Sequence, residues 1–490
     1  MTGQYLAFDL GAESGRAIAA RLVENGTLAV REVCRFSNEP LRENGALRWD
    51  ALRLWGDITR TLEHPNQMRF DSVGVDAWGV DYALLDERGT LMENPYHYRD
   101  PRNEGMMEEV LARVSRERIY SVTGIQFLQI NTLVQLYAAT RRTPQVVDAA
   151  QSLATIPDLF NYWLTGELVS EYTSATTTQL VDAHTRRWAL GLLDEVGLPA
   201  RLLQPIVEPG TVIGAIRSVA SSALAGTPVV APACHDTASA VAAVSLDAHA
   251  AFLSSGTWSL LGAEVASPVM TPRARDLNFT NEGGAAGTIR LLKNINGLWL
   301  LQSCRRVWAA MGASEPYDDL LAAAADPTLA FRSLIDPDHA AFLNPDDMPA
   351  AIAAYCRRSG QAEPESRAAF TRAILESLAL KYRLVLDWLE ELTGRRITEV
   401  RVVGGGSRNR LLNRLTADAT GRVVVTGPSE ATALGNVAMQ MVATSAVASL
   451  ADARRIIEHS FPAERFEPDA TGRWDAPYRR FRDYVEFSCA

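Results

Sequence analysis

The 490-residue sequence predicts a two-domain α/β protein whose two halves begin with the same supersecondary unit. Its length exceeds what one hydrophobic core usually supports. A strand, a Gly-bounded turn and a second strand occupy residues 5–22, and the same order recurs at 251–261, roughly 245 residues later. Strand and helix patterns alternate between residues 366 and 444, which is typical of a partly parallel sheet. We therefore expect one domain over residues 1–245 and a second over 246–490.

The first half mixes strands with helices. Residues 72–76 and 82–85 predict strands that flank a Trp78-Gly79 turn. The spacing of apolar residues over 50–62 predicts an amphipathic helix, and a largely helical region follows to about residue 200. Residues 205–213 then predict extended chain, because Pro and Gly punctuate them.

The second half opens near Ala250 and continues as alternating elements. Its pattern predicts, in order, a long helix over 366–392, a strand over 397–403, a helix over 409–420, a strand over 423–425 and a helix over 429–444. Ligands of such sheets bind beyond the carboxyl ends of the strands, where the turn from Gly404 to Ser407 is expected. A plain turn needs one glycine, so three in a row predict that a ligand approaches this backbone closely.

Composition excludes several classes of partner. A net charge of −10 argues against nucleic acid or an anionic membrane as the main partner, since both require a basic surface. No apolar run reaches the ~18 residues of a membrane span. The five cysteines form no CxxC pair, which predicts a reduced, cytoplasmic setting. The seven histidines lack zinc-ligand spacing.

The lysine content excludes the commonest ATP-binding motif. The only lysines are Lys293 and Lys381, and neither follows a glycine, so the chain has no P-loop. It also lacks the HRD and DFG motifs of protein kinases and the GxGxxG motif of dinucleotide-binding folds. Any bound ATP must therefore be held by Gly/Ser turns and helix N-termini.

The segment Cys234-His235-Asp236-Thr237 places a carboxylate at the start of a helix of small residues. A Gly/Ser turn, Ser254 to Gly256, follows about twenty residues later. A small-molecule kinase needs both features, because a carboxylate takes the hydroxyl proton and backbone amides cradle phosphate. The alternative interpretation is that Asp236 only caps its own helix.

As a set, these motifs resemble the FGGY carbohydrate kinases over residues 4–485, essentially the whole chain. Two stretches, Thr280 to Gly284 and Leu292 to Ile295, resemble the branch of the family that phosphorylates L-rhamnulose. The resemblance is carried by residues 9–16, 76–82, 97–100, 156–159, 234–237, 255–258, 278–284, 290–295, 297–302 and 402–409.

The resemblance implies a two-domain actin/hexokinase-like (ribonuclease H-like) ATPase fold with the active site in the interdomain cleft. It implies that Asp236 is the general base for the C1 hydroxyl of the sugar. The sugar contacts that it implies are Gly79, His235, Asp236, Thr237 and Asn294. The ATP contacts that it implies are Ala12, Glu13, Ser14, Gly15, Arg16, Thr257, Gln302 and Gly405.

The resemblance also implies Mg²⁺ as the cofactor bound with ATP. We expect Asp9 to contact this ion through water, because Mg²⁺ keeps most of its hydration shell. For Asp9, the alternative is a strand-end residue that caps its own turn.

Two other functions stay open from the sequence. The first keeps the chemistry and changes the sugar to L-fuculose or another deoxyketose. The second is a non-catalytic, ATP-driven clamp or a sugar-sensing regulator. We expect ATP and a ketose as the partners and, from the resemblance, a monomer.

Overall fold

The computed structural model of the chain describes residues 3–63, 69–217, 224–469 and 471–489. The chain forms two compact units. The first comprises Met1–Ser245, Glu264–Leu291 and Glu430–Pro462, and the second comprises Leu246–Ala263, Leu292–Ser429 and Ala463–Ala490. The ends of the predicted domains, residues 1, 2 and 490, lie outside the described residues.

The strands are short and lie throughout the chain. Up to residue 245 they are β1 (Gly3–Leu10), β2 (Ser14–Leu22), β3 (Leu28–Ser37), β4 (Leu41–Glu43), β5 (Ala46–Arg48), β6 (Ser72–Ala77), β7 (Tyr82–Leu85), β8 (Ser152–Thr155), β9 (Ser170–Glu171), β10 (Val181–Asp182), β11 (Arg187–Trp188), β12 (Ile206–Val207), β13 (Thr211–Ala215) and β14 (Pro228–Ala231). Later strands are β15 (Ala250–Ser255), β16 (Trp258–Val265), β17 (Thr280–Gly283), β18 (Ile289–Asn296), β19 (Glu399–Val403), β20 (Val423–Thr426) and β21 (Arg465–Phe466).

The helices lie between these strands or after the last of them, singly or in runs of up to four. Up to residue 245 they are α1 (Ala51–Glu63), α2 (Met106–Arg113), α3 (Arg116–Thr123), α4 (Thr132–Arg142), α5 (Pro144–Ala149), α6 (Ile156–Thr165), α7 (Tyr172–Thr177), α8 (Leu190–Val196) and α9 (Asp236–Ala242). Later helices are α10 (Pro272–Asp276), α11 (Trp299–Ala310), α12 (Tyr317–Ala324), α13 (Met348–Arg358), α14 (Arg367–Thr393), α15 (Arg410–Thr420), α16 (Ala431–Ala443), α17 (Leu450–Ser460) and α18 (Asp475–Cys489).

The core of the first unit is a mixed sheet with the strand order β13-β14-β6-β1-β2-β3. The strands β14, β6 and β1 run parallel, and β1 and β2 form an antiparallel hairpin. Every residue of β6 is buried, as expected for a central strand that is covered on both faces. Helices α6 and α16 pack against this sheet. The carboxyl ends of the three parallel strands therefore lie along one edge of the sheet.

The second unit repeats the arrangement of the first. Strands β15 and β16 form an antiparallel hairpin, and β19 pairs with β15 in parallel. Strand β20 pairs with β19 in parallel, and the edge strand β21 pairs with β20 in antiparallel orientation. The long helix α14 is largely buried and packs against α12 and α15. The duplicated hairpin that the sequence predicts is thus present in both units.

Most predicted elements agree with the observed ones to within about two residues, the usual uncertainty of element ends. The prediction was wrong in two places: β16 runs four residues past its expected end at 261, and the region expected to be largely helical contains the short strands β8 to β11. The helix expected over 366–392 is α14, and the helix expected over 429–444 is α16. The Trp78-Gly79 turn does lie between two strands, but β7 leaves the main sheet and pairs with β8. A short apolar run predicts a strand but does not specify the partner of that strand, so this pairing was not predictable.

The compact units share the predicted boundary at 245/246 but are not continuous in sequence. Residues 264–291 and 430–462 belong to the first unit, although the prediction placed them in the second domain. The reason in the second case is long-range packing of α16 on β1 and β6. Among the helices of the described ranges, none has the length and apolarity needed to cross a membrane.

Candidate active site

The carboxyl edge of the first sheet gathers three acidic side chains. Asp9 at the end of β1 stands opposite Asp76 at the end of β6. The amide of Ala77 donates to the carbonyl of Cys234 over 2.9 Å, which joins β6 to the segment that leads into α9. Asp236 is the first residue of α9. The carboxylates of Asp9 and Asp236 both act to raise the pKa of Asp76, so the three groups lie within electrostatic range of one another.

Arg16 lies between two carboxylates at this edge. Its Nε and Nη2 donate to Oδ2 of Asp9 over 2.9 and 2.6 Å, and its Nη1 lies 2.5 Å from Oε2 of Glu430. Burial acts to lower the pKa of Arg16, but the two carboxylates outweigh it and raise this pKa above its ordinary value. The guanidinium therefore stays charged and is held beside the predicted phosphate turn.

The predicted phosphate turn joins β1 to β2. Within it, the amide of Gly11 donates to the carbonyl of Ser14 over 3.0 Å. Asn38 fixes the turn from outside, since its side-chain amide donates to the carbonyl of Gly11 over 2.8 Å and its backbone amide to that of Glu13 over 2.9 Å. Glu13 is exposed, Ala12 and Ser14 are half-buried, and Gly15 is buried.

The Asp236 carboxylate stands at the mouth of α9 with 28% of its side chain exposed. Its Oδ1 lies 3.4 Å from Nε2 of His235 and 3.2 Å from the hydroxyl of Thr237. Burial raises the pKa of Asp236, His235 acts to lower it, and the Asp9 carboxylate raises it. The predicted sugar contacts His235, Asp236 and Thr237 are therefore brought together around one carboxylate.

A buried carboxylate, Glu171, fixes the backbone that leads to Asp236. Its Oε2 accepts from the amide of Cys234 over 3.0 Å and from the hydroxyl of Thr173 over 2.6 Å. The same hydroxyl accepts from the amide of His235 over 3.1 Å. Burial raises the pKa of Glu171 to about 7, against four hydrogen bonds that lower it. Glu171 and Thr173 could not be predicted as part of this site, because nothing in their local sequence pattern indicates a contact some sixty residues away.

Gly79, two residues after the end of β6, lies close to His235 and Thr177. A Cβ built on Gly79 would lie 3.2 Å from Nε2 of His235 and 3.1 Å from the side chain of Thr177. The next residue, Val80, has a φ of 67°, which is costly for a β-branched residue. Its amide donates to the Thr177 hydroxyl over 3.1 Å and its carbonyl accepts from Thr132 over 2.5 Å. A side chain at position 79 would therefore crowd the imidazole of His235.

A chain of buried side-chain hydrogen bonds anchors Asp76 to α16. Ser72 donates to Gln440 over 2.7 Å, Gln440 donates to Asn436 over 2.7 Å, and Asn436 donates to Oδ2 of Asp76 over 2.7 Å. All four residues are fully buried. Burial raises the pKa of Asp76 well above its ordinary value. Because Oδ1 of Asp76 has no partner in the described part of the chain, this carboxyl group is incompletely satisfied.

The edge of the first sheet that carries Asp9 and Asp76 offers carboxylate oxygens suited to a hydrated magnesium ion. Arg16 occupies only Oδ2 of Asp9, and Oδ1 of Asp76 is unpaired within the described ranges. Across residues 3–63, 69–217, 224–469 and 471–489, no group of three or more His, Cys, Asp or Glu could hold a metal ion. Contact between Asp9 and Mg²⁺ through water, which keeps most of the hydration shell of the ion, stays a prediction.

In the second unit, the predicted ATP contacts lie on two turns and one helix. Thr257 lies in the β15–β16 turn, and its carbonyl accepts from the amides of Gly297 and Trp299, each over 3.1 Å. This fixes the turn to the start of α11, which carries Gln302. Asn294 is half-buried in β18.

The glycines of the β19 turn differ in what they require. A Cβ on Gly404 would lie 2.9 Å from the carbonyl oxygen of Ser255, and a Cβ on Gly406 would lie 2.0 Å from its Oγ. Gly404 also has a φ of 81°. Gly405 is exposed, and a Cβ there would meet nothing within 4 Å. Packing within the protein explains two of the three glycines, and Gly405 is the one that faces open space.

The duplicated hairpins and Asp236 at the start of α9 are features expected of a carbohydrate kinase. Residues 4–243 match the N-terminal domain and residues 251–444 the C-terminal domain of the FGGY family of carbohydrate kinases. The chain therefore belongs to the FGGY family of carbohydrate kinases.

Curated relatives are consistent with this assignment, and solved structures share the fold. A rhamnulokinase of Bacteroides thetaiotaomicron is 45% identical, covering 99% of this chain and 100% of the relative. A rhamnulokinase of Oceanobacillus iheyensis is 42% identical over 93% of this chain and 96% of its own. In fold, the chain is similar to a xylulose kinase from Lactobacillus acidophilus, with a TM-score of 0.80, 18% identity and coverage of 99% and 97%. A glycerol kinase from Plasmodium falciparum matches with a TM-score of 0.77, 15% identity and coverage of 99% and 98%.

Proposed function

We propose that this protein transfers the γ-phosphoryl group of ATP to the C1 hydroxyl of L-rhamnulose, giving L-rhamnulose 1-phosphate in L-rhamnose catabolism. The observation that carries the substrate is the similarity to rhamnulokinases over nearly the whole chain, 45% identity over 99% of it in one case. The family membership supports the phosphoryl transfer itself.

In this proposal, Asp236 is the general base. Its carboxylate removes the proton from the C1 hydroxyl as the new O–P bond forms and ADP leaves, a contribution of about 10²–10⁴ in rate. The partial exposure of the side chain supports this role, because a hydroxyl can reach it. The hydroxyl of Thr237 and the imidazole of His235 supply polar groups beside the reacting oxygen. Gly79, whose missing side chain leaves room beside the imidazole, and Asn294 complete the proposed sugar contacts.

The phosphates of ATP are assigned to backbone amides and one cation. On the first unit these are the turn from Ala12 to Gly15 and the guanidinium of Arg16. On the second unit they are the turn at Thr257, with Gln302 and Gly405 at the adenosine end. Asp9 would contact, through water, the Mg²⁺ bound with ATP, and this ion would supply charge neutralisation at the phosphates.

A substrate panel tests the sugar. ADP release is measured in a coupled assay with L-rhamnulose, L-fuculose, D-xylulose, L-ribulose and glycerol. We expect kcat/KM for L-rhamnulose to exceed the others by about tenfold or more, which is about 1.4 kcal/mol of transition-state discrimination. Equal turnover of L-fuculose would identify a broader deoxyketose kinase instead. ATP binding without turnover of any ketose would support the alternative function of a sugar-sensing regulator.

An isosteric substitution tests the base. We expect Asp236→Asn to reduce kcat by about 10²–10⁴ while ATP binding is retained. The matched control is Asp247→Asn, the same change at an exposed residue that caps a turn through the amide of His249. A clamp that does not transfer phosphate to a hydroxyl would be indifferent to both changes.

A further inference from the structure

The imidazole of His235 is contacted at both of its nitrogens. Nε2 lies 3.4 Å from Oδ1 of Asp236. Nδ1 lies 3.1 Å from Nη2 of Arg290 and 3.4 Å from Oε2 of Glu282. The side chain of His235 is only 9% exposed, and that of Arg290 is completely buried. The ring therefore sits between the proposed base on one side and a buried ion pair on the other.

The chemistry of arginine assigns the proton on this ring. A guanidinium carries five N–H donors and no acceptor, so a hydrogen bond between Nη2 and Nδ1 requires Nδ1 to accept. A neutral imidazole that accepts at Nδ1 carries its proton on Nε2. The N–H of His235 therefore faces Asp236. The opposite tautomer would present two donors to each other at Nδ1 and a lone pair to the carboxylate at Nε2.

Arg290 is held firmly enough to impose this choice. Its Nε donates to the carbonyl of Gly283 over 2.9 Å, and its Nη2 lies 3.1 Å from Oε2 of Glu282. Burial lowers the pKa of Arg290 below its ordinary value, and the Glu282 carboxylate offsets only part of this effect. Because the side chain has no exposed surface, it cannot exchange its partners for water.

We propose that Arg290 is a positioning residue for phosphoryl transfer, which keeps His235 in the tautomer whose Nε2–H faces Asp236. The proposal rests on the proposed function. An N–H in this position stabilises the ionised carboxylate that removes the proton, and it also offers a donor to the sugar oxygen. A lone pair there would repel the carboxylate and compete with it for the hydroxyl proton. Glu282 balances the buried charge of Arg290 and does not itself set the tautomer.

The tautomer can be observed without substrate. Protein labelled with ¹⁵N-histidine gives distinct ring signals for protonated and unprotonated nitrogens, and His235→Gln assigns the signal of His235. We expect Nε2 to be protonated and Nδ1 unprotonated in the native protein. In Arg290→Met, the Glu282 carboxylate is left facing Nδ1, so we expect Nδ1 to become protonated. In Glu282→Gln, which keeps the guanidinium, we expect the native pattern.

A second buried arginine supplies the control. Arg372 in α14 of the second unit donates to Glu376 over 2.6 Å, and both are buried. Arg372→Met removes a buried cation from its carboxylate in the same way but should leave the ring signals of His235 unchanged. If Arg290→Met does not fold, Arg290→Lys and Glu282→Gln carry the test, because both keep a cation near Nδ1. Both are then expected to keep the proton on Nε2.

The kinetics then link the tautomer to turnover. We expect Arg290→Met to lower kcat by about 10²-fold with little change in KM for ATP, and Arg290→Lys to recover part of the loss, since one donor remains. A native-like tautomer in Arg290→Met, or a proton on Nδ1 in the native protein, would overturn the proposal. If the tautomers are as expected but the native protein turns over no ketose, the proposed function fails, and the catalytic role of Arg290 fails with it.

Discussion

Replacing Gly435 by alanine tests the packing of α16 against α9, the helix that begins with Asp236. A Cβ on Gly435 would lie 1.7 Å from the carbonyl oxygen of Ser239, 2.6 Å from its carbonyl carbon and 3.2 Å from the amide of Ala243. An ordinary contact begins near 3.4 Å, so the helices must separate by about 1.7 Å. The atoms in the way are backbone, so no side-chain rotation can relieve the clash.

The expected cost follows from this displacement. Overpacking of a core typically costs about 1–3 kcal/mol, and a clash with backbone belongs at the upper end of that range. At about 2.1 cal/mol/K per residue, a unit of roughly 300 residues has an unfolding entropy of about 0.6 kcal/mol/K, so a loss of about 3 kcal/mol should lower the unfolding transition by roughly 5 °C. Turnover should fall as well, because α9 carries Asp236.

Gly56→Ala is the matched control. Gly56 lies inside α1, and a Cβ there would meet nothing within 4 Å. The same added methyl group should therefore stabilise the protein by about 0.5–1 kcal/mol, the usual advantage of Ala over Gly inside a helix. Scanning calorimetry of both variants and the native protein gives the two shifts, which should have opposite signs. If Gly435→Ala unfolds at the same temperature as Gly56→Ala and keeps full turnover, the close approach of the two helices is refuted.

Three further outcomes are expected. Nζ of Lys381 lies 2.8 Å from Oδ1 of Asp336 and 2.9 Å from Oδ2 of Asp338. Lys381→Met removes this cation from the two carboxylates and should lower the free energy of unfolding, measured by heat or urea, by about 3–5 kcal/mol. Since burial raises the pKa of Asp236 and the base must be ionised, kcat/KM should decline on the acid side with a midpoint above that of an ordinary Asp. A profile that is flat down to the ordinary Asp range would contradict this expectation. Chelation of Mg²⁺ should abolish ADP release and added Mg²⁺ should restore it, whereas turnover in excess chelator would remove the proposed role of Asp9.

The elements of the fold could be predicted because their signals are local. The hairpin at residues 5–22 is encoded by an apolar strand, a Gly-bounded turn and a second strand, and α14 by a long apolar period with a stop at Gly394. The return of α16 to the first unit has no such signal. It depends on Asn436 and Gln440, whose buried hydrogen bonds reach residues more than 350 positions away.

The candidate site divides in the same way. Asp236, His235 and Thr237 adjoin in sequence, so a motif could indicate them. Their supports, Glu171 and Arg290, lie on other elements, and a buried carboxylate or guanidinium in a sequence looks like any surface charge. The pairing of Arg290 with Nδ1 of His235 becomes visible only when three separate segments are seen folded together.

The discontinuous first unit has a consequence for how the chain is made. When residue 245 leaves the ribosome, the strands β1 and β6 exist, but the helix that packs against them, α16, has not been synthesised. More than 200 further residues must follow before residue 462 completes the unit, which takes on the order of 10–40 s at typical bacterial elongation rates. During that interval the apolar surface of β1 and β6 that α16 contacts is without that helix. The N-terminal half should therefore associate with chaperones while translation continues, and it should be insoluble when expressed by itself.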